Sequence, residues 1–348
     1  MWHLIDEAVG RLWNNELVAF PTETVYGLGA HAAKPEAVAK IFSIKGRPAH
    51  HPLIVHIPGA EWMTQWATDI PPIAWDLATA FWPGPMTLIL KKQPWVPGVV
   101  TGGQDTIGLR VPNHPVALGL LKAFASSGRP GRGGIAAPSA NRFGRISPTT
   151  AADVLEELGH RISLILDGGS CAIGIESTII DLSRGAPVIL RPGALAAEQL
   201  TKVLGEFSAS NASAQAPRVP GALVSHYAPH TPACLMPFEE ILAYLDAHAR
   251  QHCCILARTL PPVTRPAHIW HMMEAGPGAY ARDLYGVLRH MDRRFPDLIL
   301  IEQLPDTPEW AAVRDRVGRA TAGRIPAATA IGGSDAGVVS AAVSCSRS

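Results

Sequence analysis

From residue 3 to about residue 205, short apolar runs rich in β-branched residues alternate with longer runs whose apolar positions recur at helical spacing. Gly or Pro separates nearly every run from the next. The pattern predicts strands at Leu17 to Phe20, Leu53 to Ile57, Thr87 to Leu90, Ile107 to Val111, Gly134 to Ala137, Leu164 to Leu166, Thr178 to Leu182 and Val188 to Leu190. Between them it predicts helices at Pro35 to Ile44, Ile73 to Phe81, Pro115 to Ala125 and Thr150 to Leu158, with Pro35 in a first turn and Thr149 as an N-cap. So many strands point to one large sheet in an α/β or α+β fold. Residues 206 to 220 shift to Ser, Ala, Asn, Gln and Pro, too poor in apolar content to pack, and read as a linker. Beyond it, helices at Phe238 to Ala249, Ala279 to Arg293 and Pro308 to Thr321 flank strands at Cys254 to Ala257 and Leu298 to Ile301, a small Rossmann-like unit. The Gly, Ser and Ala composition from about Gly332 predicts a disordered tail.

Length and composition narrow the picture. A chain of 348 residues predicts about two domains. Hydrophobic residues at 47% and charged residues at 17% exclude a disordered or coiled-coil protein. Thirty basic against 29 acidic residues give a net charge of +1, without the electrostatic footprint of a dedicated nucleic-acid binder, so any RNA contact is local or transient. Cys171, Cys234, Cys253, Cys254 and Cys345 are odd in number and form no C-x-x-C pair, which argues against a disulfide framework or zinc and for a reducing cytoplasm. Asp6 and Glu7 interrupt the first apolar stretch, against a signal peptide, and no apolar run is long enough for a membrane span.

Four segments carry chemistry. Pro21-Thr22-Glu23-Thr24-Val25-Tyr26-Gly27-Leu28-Gly29 follows a strand, where ligands sit in open sheets, and sets hydroxyls, a carboxylate and a phenol on a glycine-ended turn. Lys45-Gly46-Arg47-Pro48 offers a point charge and a planar fork two residues apart, suited to a polyphosphate. The nearby His50, His51 and His56 lack acidic or cysteine partners at metal-ligand spacing. Ala136-Ala137-Pro138-Ser139-Ala140-Asn141-Arg142, followed by Ser147-Pro148-Thr149 at a helix start, brings hydroxyl, amide and free N–H groups together without a Walker lysine loop. Asp167-Gly168-Gly169 leads through Gly174-Ile175-Glu176-Ser177-Thr178 to Leu190-Arg191-Pro192-Gly193, a glycine-lined approach to a strand start. No Ser-His-Asp order, H-E-x-x-H, G-x-G-x-x-G or Walker A segment is present.

In this order the four segments resemble the YrdC-like threonylcarbamoyl-AMP synthase family in its long, two-domain form. The resemblance extends through Trp82-Pro83-Gly84-Pro85, Thr106 to Pro112, Pro220-Gly221 and His226-Tyr227-Ala228-Pro229, over residues 3 to 325. It implies a YrdC-like twisted mixed sheet with flanking helices and a concave ligand pocket over residues 1–205, a linker and flap over 206–232, a Rossmann-like domain over 233–325 and a disordered tail over 326–348. It also implies that L-threonine, bicarbonate or CO2, and ATP with Mg2+ yield threonylcarbamoyl-adenylate and pyrophosphate, with no zinc, flavin, NAD or protein-bound metal. A downstream transferase complex then modifies the adenosine beside the anticodon in tRNAs reading A-starting codons.

By the same resemblance Thr24, His56, Arg110, Ala137 and Ser177 match the threonine side, while Lys45, Arg47, His51, Thr106, Ser139, Asn141, Ser147, Arg191 and Tyr227 match the ATP side. Lys45, Arg47, Ser139 and Asn141 are the catalytic candidates, and His226 with Tyr227 the flap. His51 stands where many members carry Asn, and Ala222 to Ser225 is less basic than usual. The related module of hydrogenase-maturation carbamoyltransferases comes with an acylphosphatase-like segment and zinc fingers that this chain lacks. An RNA-binding module, suggested by Arg129, Arg132, Arg142 and Arg145 near Asn141, is the rival from another class.

Overall fold

The computed structural model describes residues 2–127, 133–205, 216–221, 223–261 and 267–322. The expected tail, the core of the expected linker, and Arg129 and Arg132 lie outside the described residues.

The first domain is built on strands β1 (Val18–Phe20), β2 (Gly27–His31), β3 (Ile54–His56), β4 (Ala67–Thr68), β5 (Met86–Lys92), β6 (Thr106–Arg110), β7 (Ile135–Ala136), β8 (Leu164–Ile165), β9 (Thr178–Asp181) and β10 (Val188–Arg191). They form one ten-stranded sheet in the order β10-β9-β5-β6-β3-β7-β2-β1-β8, with β4 on β5. Pairs β3/β6, β5/β9 and β1/β8 are parallel and the others antiparallel, so the sheet is mixed. The long apolar run of β5 buries its first five residues, as a central strand covered on both faces must.

Besides strand β4 and a helix at Ala197–Leu204, which the sequence pattern does not predict, three features depart from it. Strand β2 occupies what reads as a glycine-ended turn, because close approach demands glycine there. A Cβ on Gly29 would lie 2.8 Å from the Phe20 ring and 3.1 Å from the Val18 carbonyl oxygen. Helix Trp2–Trp13 was not expected; its Ala8 and Leu12 pack with Val116, Leu120 and Phe124 of helix Pro115–Ala125. The N-cap of helix Ala151–Leu158 is Thr150 rather than Thr149. Thr150 Oγ1 accepts from the Asp153 N–H at 3.2 Å, and Asp153 accepts in return from the Thr150 N–H at 3.1 Å, a capping box that closes one residue later.

The second domain is a parallel sheet of β11 (Ala233–Met236), β12 (Cys253–Ala257), β13 (His268–Met272) and β14 (Leu298–Glu302), ordered β11-β14-β12-β13. The inner strands β12 and β14 are fully buried apolar runs, readable in sequence. The edge strands β11 and β13 are half covered and mixed in character, and the pattern misses them. Helix Phe238–Ala247 packs with Cys253, Ile255 and Leu300 on one face. Helices Pro277–Asp292 and Ala311–Thr321 cover the other, in a cluster that also takes in Val25, Ile146 and Ile175 of the first domain. The two domains therefore share a core across their seam. Among the described residues no helix is long and apolar enough to cross a membrane.

Candidate active site

Strand direction gathers the site. In parallel strands β3 and β6, His56 stands opposite Arg110, so both carboxyl ends deliver side chains to one end of the sheet. Strand β9 begins at that end just after Ser177, and its antiparallel partner β10 finishes there at Arg191. The turn after β1 and the turn after β7 are tied together at the other end of these short strands, beside Ile54, where Gly27 bridges Ser139. Leu28 N–H donates to the Pro138 carbonyl at 2.7 Å, and Ala140 N–H to the Tyr26 carbonyl at 2.8 Å.

These elements enclose a small, tightly lined pocket of about 50 Å³. Its lining includes Thr24, Arg47, His56, Arg110, Ala137, Ser139, Ser177, Arg191, His226 and Tyr227 from the candidates, together with Glu176 and Gly221. Arg110 Nη2 donates to Thr24 Oγ1 at 2.9 Å and lies 2.8 Å from a Glu23 carboxylate oxygen. Neither oxygen of Glu23 has hydrogen-bond geometry, so that contact is one of charge. Ser177 Oγ pairs with Thr87 Oγ1 at 2.8 Å, and Arg191 grips the Ser177 carbonyl through Nε and Nη2 at 3.1 and 2.9 Å. Arg191 Nη1 reaches the Pro220 carbonyl at 2.8 Å, which binds the segment before the flap to the sheet. Arg47 donates to the Pro52 carbonyl at 2.9 Å and lies 5.5 Å from the Phe143 ring centre.

His226 and Tyr227 cover this floor. Tyr227, at φ +61°, is buried, and its hydroxyl has no partner among the described residues. A Cβ on Gly221 would come within 2.1 Å of that hydroxyl, so only glycine fits beneath it. The His226 ring packs edge-on to Tyr227, with centroids 4.2 Å apart.

Burial dominates the electrostatics. It pulls Arg47 down to about 10, and Arg191 is lowered by the same cause; both remain cations at neutral pH. His56 is pushed down to about 3 by burial and then by Arg110, and His226 to about 3 chiefly by burial, so both imidazoles are neutral. Burial alone would raise Glu176, but Arg316 and Arg191 with the Ser147 hydroxyl outweigh it and hold the carboxyl at about 2.

The remaining candidates stand outside the lining. Lys45 Nζ donates to the Ser139 carbonyl at 2.6 Å and to the Asn141 carbonyl, clamping the turn that presents Ser139; burial, then Arg47, lower its pKa well below the usual lysine range. Asn141 Nδ2 donates to the carbonyls of Arg142 and Arg145 at 2.7 and 2.8 Å. Ser147 donates to Glu176 at 2.6 Å. His51 lies against His50 and Phe143 at ring distances of 4.6 and 5.1 Å, its pKa lowered to about 4 first by burial and then by Arg47. Thr106 starts β6, at the opposite end of that strand from Arg110.

Sequence reasoning missed Tyr285 and Arg316, which hold Glu176 from the second domain. A signal existed for one of them. Arg316 interrupts the apolar stripe Ala312, Val313, Val317 and Ala320 of its helix, an odd place for a charge without a partner.

A family model described as telomere recombination matches residues 11–193, and one described as threonylcarbamoyl-AMP synthase, C-terminal domain, matches residues 195–322. The threonylcarbamoyl-AMP synthase of Pyrococcus abyssi is 40% identical over 331 residues, covering 91% of this chain and 94% of its own. That of Bacillus subtilis is 38% identical, with 92% and 94% covered, and that of Schizosaccharomyces pombe 32%, with 91% and 88%. A crystal structure of P. abyssi Sua5 complexed with L-threonine matches with a TM-score of 0.83 at 38% identity, over 92% of this chain and 95% of that one.

Proposed function

The chain belongs to the two-domain threonylcarbamoyl-AMP synthase family, and from that premise we propose that it joins L-threonine, bicarbonate or CO2, and MgATP into threonylcarbamoyl-adenylate and pyrophosphate. The observation that carries this reading is the convergence of three guanidinium groups, Arg47, Arg110 and Arg191, on one pocket with the hydroxyls of Thr24, Ser139 and Ser177. Such a pocket suits a substrate pair rich in carboxylate and phosphate oxygens.

The threonine nitrogen attacks carbon dioxide and loses a proton, forming a carbamate. A carbamate oxygen then attacks the α-phosphorus, and the bond to the pyrophosphate oxygen breaks. When bicarbonate is the source, one water is released. Arg110, already aligned with Thr24, receives the threonine carboxylate, and Ser177 lies on the same side. Arg47, Arg191 and Ser139 face the phosphates, where positioning and charge stabilisation dominate the barrier. Mg2+ arrives with ATP as part of the substrate; among the described residues no group of three His, Cys, Asp or Glu side chains is placed to hold it. Neutral His56 offers a hydrogen bond without adding a charge. The flap of His226 and Tyr227 keeps water from the labile adenylate. The product passes, in the cytoplasm, to a transferase complex that modifies the adenosine beside the anticodon in tRNAs reading A-starting codons, with at most weak tRNA contact by this protein.

Pyrophosphate release from ATP tests the reading directly. Release that requires both threonine and bicarbonate is expected. Release independent of threonine, or salt-sensitive RNA binding without turnover, would overturn it.

A further inference from the structure

The segment that carries Ser177 into the pocket belongs to the first domain but is seated on the second. Gly174, at φ +81°, lies so close to helix Pro277–Asp292 that a Cβ there would fall 2.3 Å from the Arg282 carbonyl oxygen. Glu176 is fixed from across the seam. Its carboxylate accepts from Arg316 Nε at 2.8 Å and from the Tyr285 hydroxyl at 3.0 Å, while Arg316 Nη2 reaches its backbone carbonyl at 3.3 Å. The same two residues support the flap: the Tyr227 ring is stacked on Tyr285 at 5.7 Å and lies 5.4 Å from the Arg316 guanidinium.

Stability alone is a poor account of this cluster. The side chain of Arg316 is fully buried and that of Glu176 is 9% exposed. Stripping water from two such charges costs about as much as their attraction returns, and apolar residues of similar volume often do as well. What a buried, forked ion pair fixes is geometry. Here it fixes one residue beside Ser177 and the ring that closes the pocket.

We infer that Arg316 and Tyr285 are positioning residues for the reaction: through Glu176 they set Ser177 in the threonine half of the pocket, and through the Tyr227 ring they set the flap, so that the second domain completes the active site. The inference rests on the function proposed above.

The test uses the full chain with Arg316→Met, Arg316→Lys and Tyr285→Phe, following pyrophosphate release with threonine and ATP varied separately, alongside thermal melting. Arg316→Met is expected to raise the threonine KM about 10-fold or more, the ATP KM moving less than about 3-fold. Arg316→Lys should recover part of that loss, and Tyr285→Phe, which keeps the ring and drops one donor, should raise the threonine KM about 3-fold. A threonine KM within about twofold of the unaltered protein in Arg316→Met, even with a lowered Tm, would reduce the cluster to a structural ion pair and overturn the inference. Should that variant fail to fold, an unmoved threonine KM in both other variants overturns it equally. If the unaltered protein shows no threonine-dependent release, the proposed function fails and takes this inference with it; normal release in that protein with unmoved variants fails this inference alone.

Discussion

The two sheets keep their buried polar side chains in different places. In the mixed sheet they stand at strand ends, with His56, Arg110 and Arg191 at one end around the pocket. The parallel sheet has a topology whose ligands usually lie beyond the carboxyl ends of the strands. There, however, Glu302 closes β14 by accepting from the N–H groups of Arg258 and Thr259 at 2.6 and 2.9 Å and from the Thr259 hydroxyl at 2.7 Å. Those bonds spend the polar capacity of that end on a local turn. Of the domain's other buried polar groups, His268 begins β13, while Tyr285, Arg289 and Arg316 stand on helices facing the first domain. This domain supplies a rigid face against which another domain's loop is set.

The contrast predicts that substitutions on the first domain's side damage chemistry most. Arg47→Ala should lower kcat about 100-fold to 1,000-fold, the usual loss when a charge-stabilising donor is removed, and near-normal turnover would sink its phosphate role. Next in size is Arg110→Ala. It should raise the threonine KM by about 10-fold or more while moving the ATP KM less, and equal shifts in both would count against a carboxylate partner. Lys45→Ala sharpens the picture differently. Because Lys45 holds the carbonyls of Ser139 and Asn141, its loss should reduce turnover by loosening that turn, and added short alkylamines in solution should restore part of the activity if the cation alone matters.

How far the sequence could be read follows from the range of each interaction. Motifs confined to one turn, such as Lys45 with Arg47 or Ser139 with Asn141, announce their residue types within a few positions. Strands with buried apolar runs, such as β5 and β14, are equally plain. Strand β2 is hidden because its glycines answer to Phe20 and Val18, packing that local propensity does not encode. The Glu176–Arg316 pair joins residues 140 positions apart, and no local pattern shows which glutamate an interior arginine will meet. Which residues of a motif face the cavity is also a tertiary matter. Lys45 and Arg47 are neighbours in sequence, yet only Arg47 lines the pocket.

The seam itself can be loosened without touching a charge. Gly174→Ala puts a β-carbon against the Arg282 backbone and forces a left-handed φ on a residue that disfavours it. We expect a loss of about 2 kcal/mol or more, seen as a Tm lowered by roughly 5 °C, with a threonine KM that rises as the loop shifts. An unchanged Tm would mean that the domains separate readily in solution. The shared cluster of Val25, Ile146 and Ile175 with the second domain's helices argues against that.

The smallest expected effect is on pH dependence, and it too divides the molecule. Unfolded histidine takes up its proton near pH 6.5, whereas buried His56 and His226 hold theirs off to about 3. Between those values the unfolded chain binds protons that the folded chain does not, so stability is full above pH 6.5 and falls as pH is lowered through this window. Glu176 adds to the fall further down, between its ordinary 4.5 and about 2. At pH 6 each histidine should cost about 1 kcal/mol relative to pH 8. Melting curves of His226→Gln should therefore lose part of the decline between pH 7 and 5. His56→Gln should lose a similar part from the floor of the pocket. A decline of full size in both variants would place the acid-sensitive groups outside the site and detach the flap's neutrality from the stability of the fold.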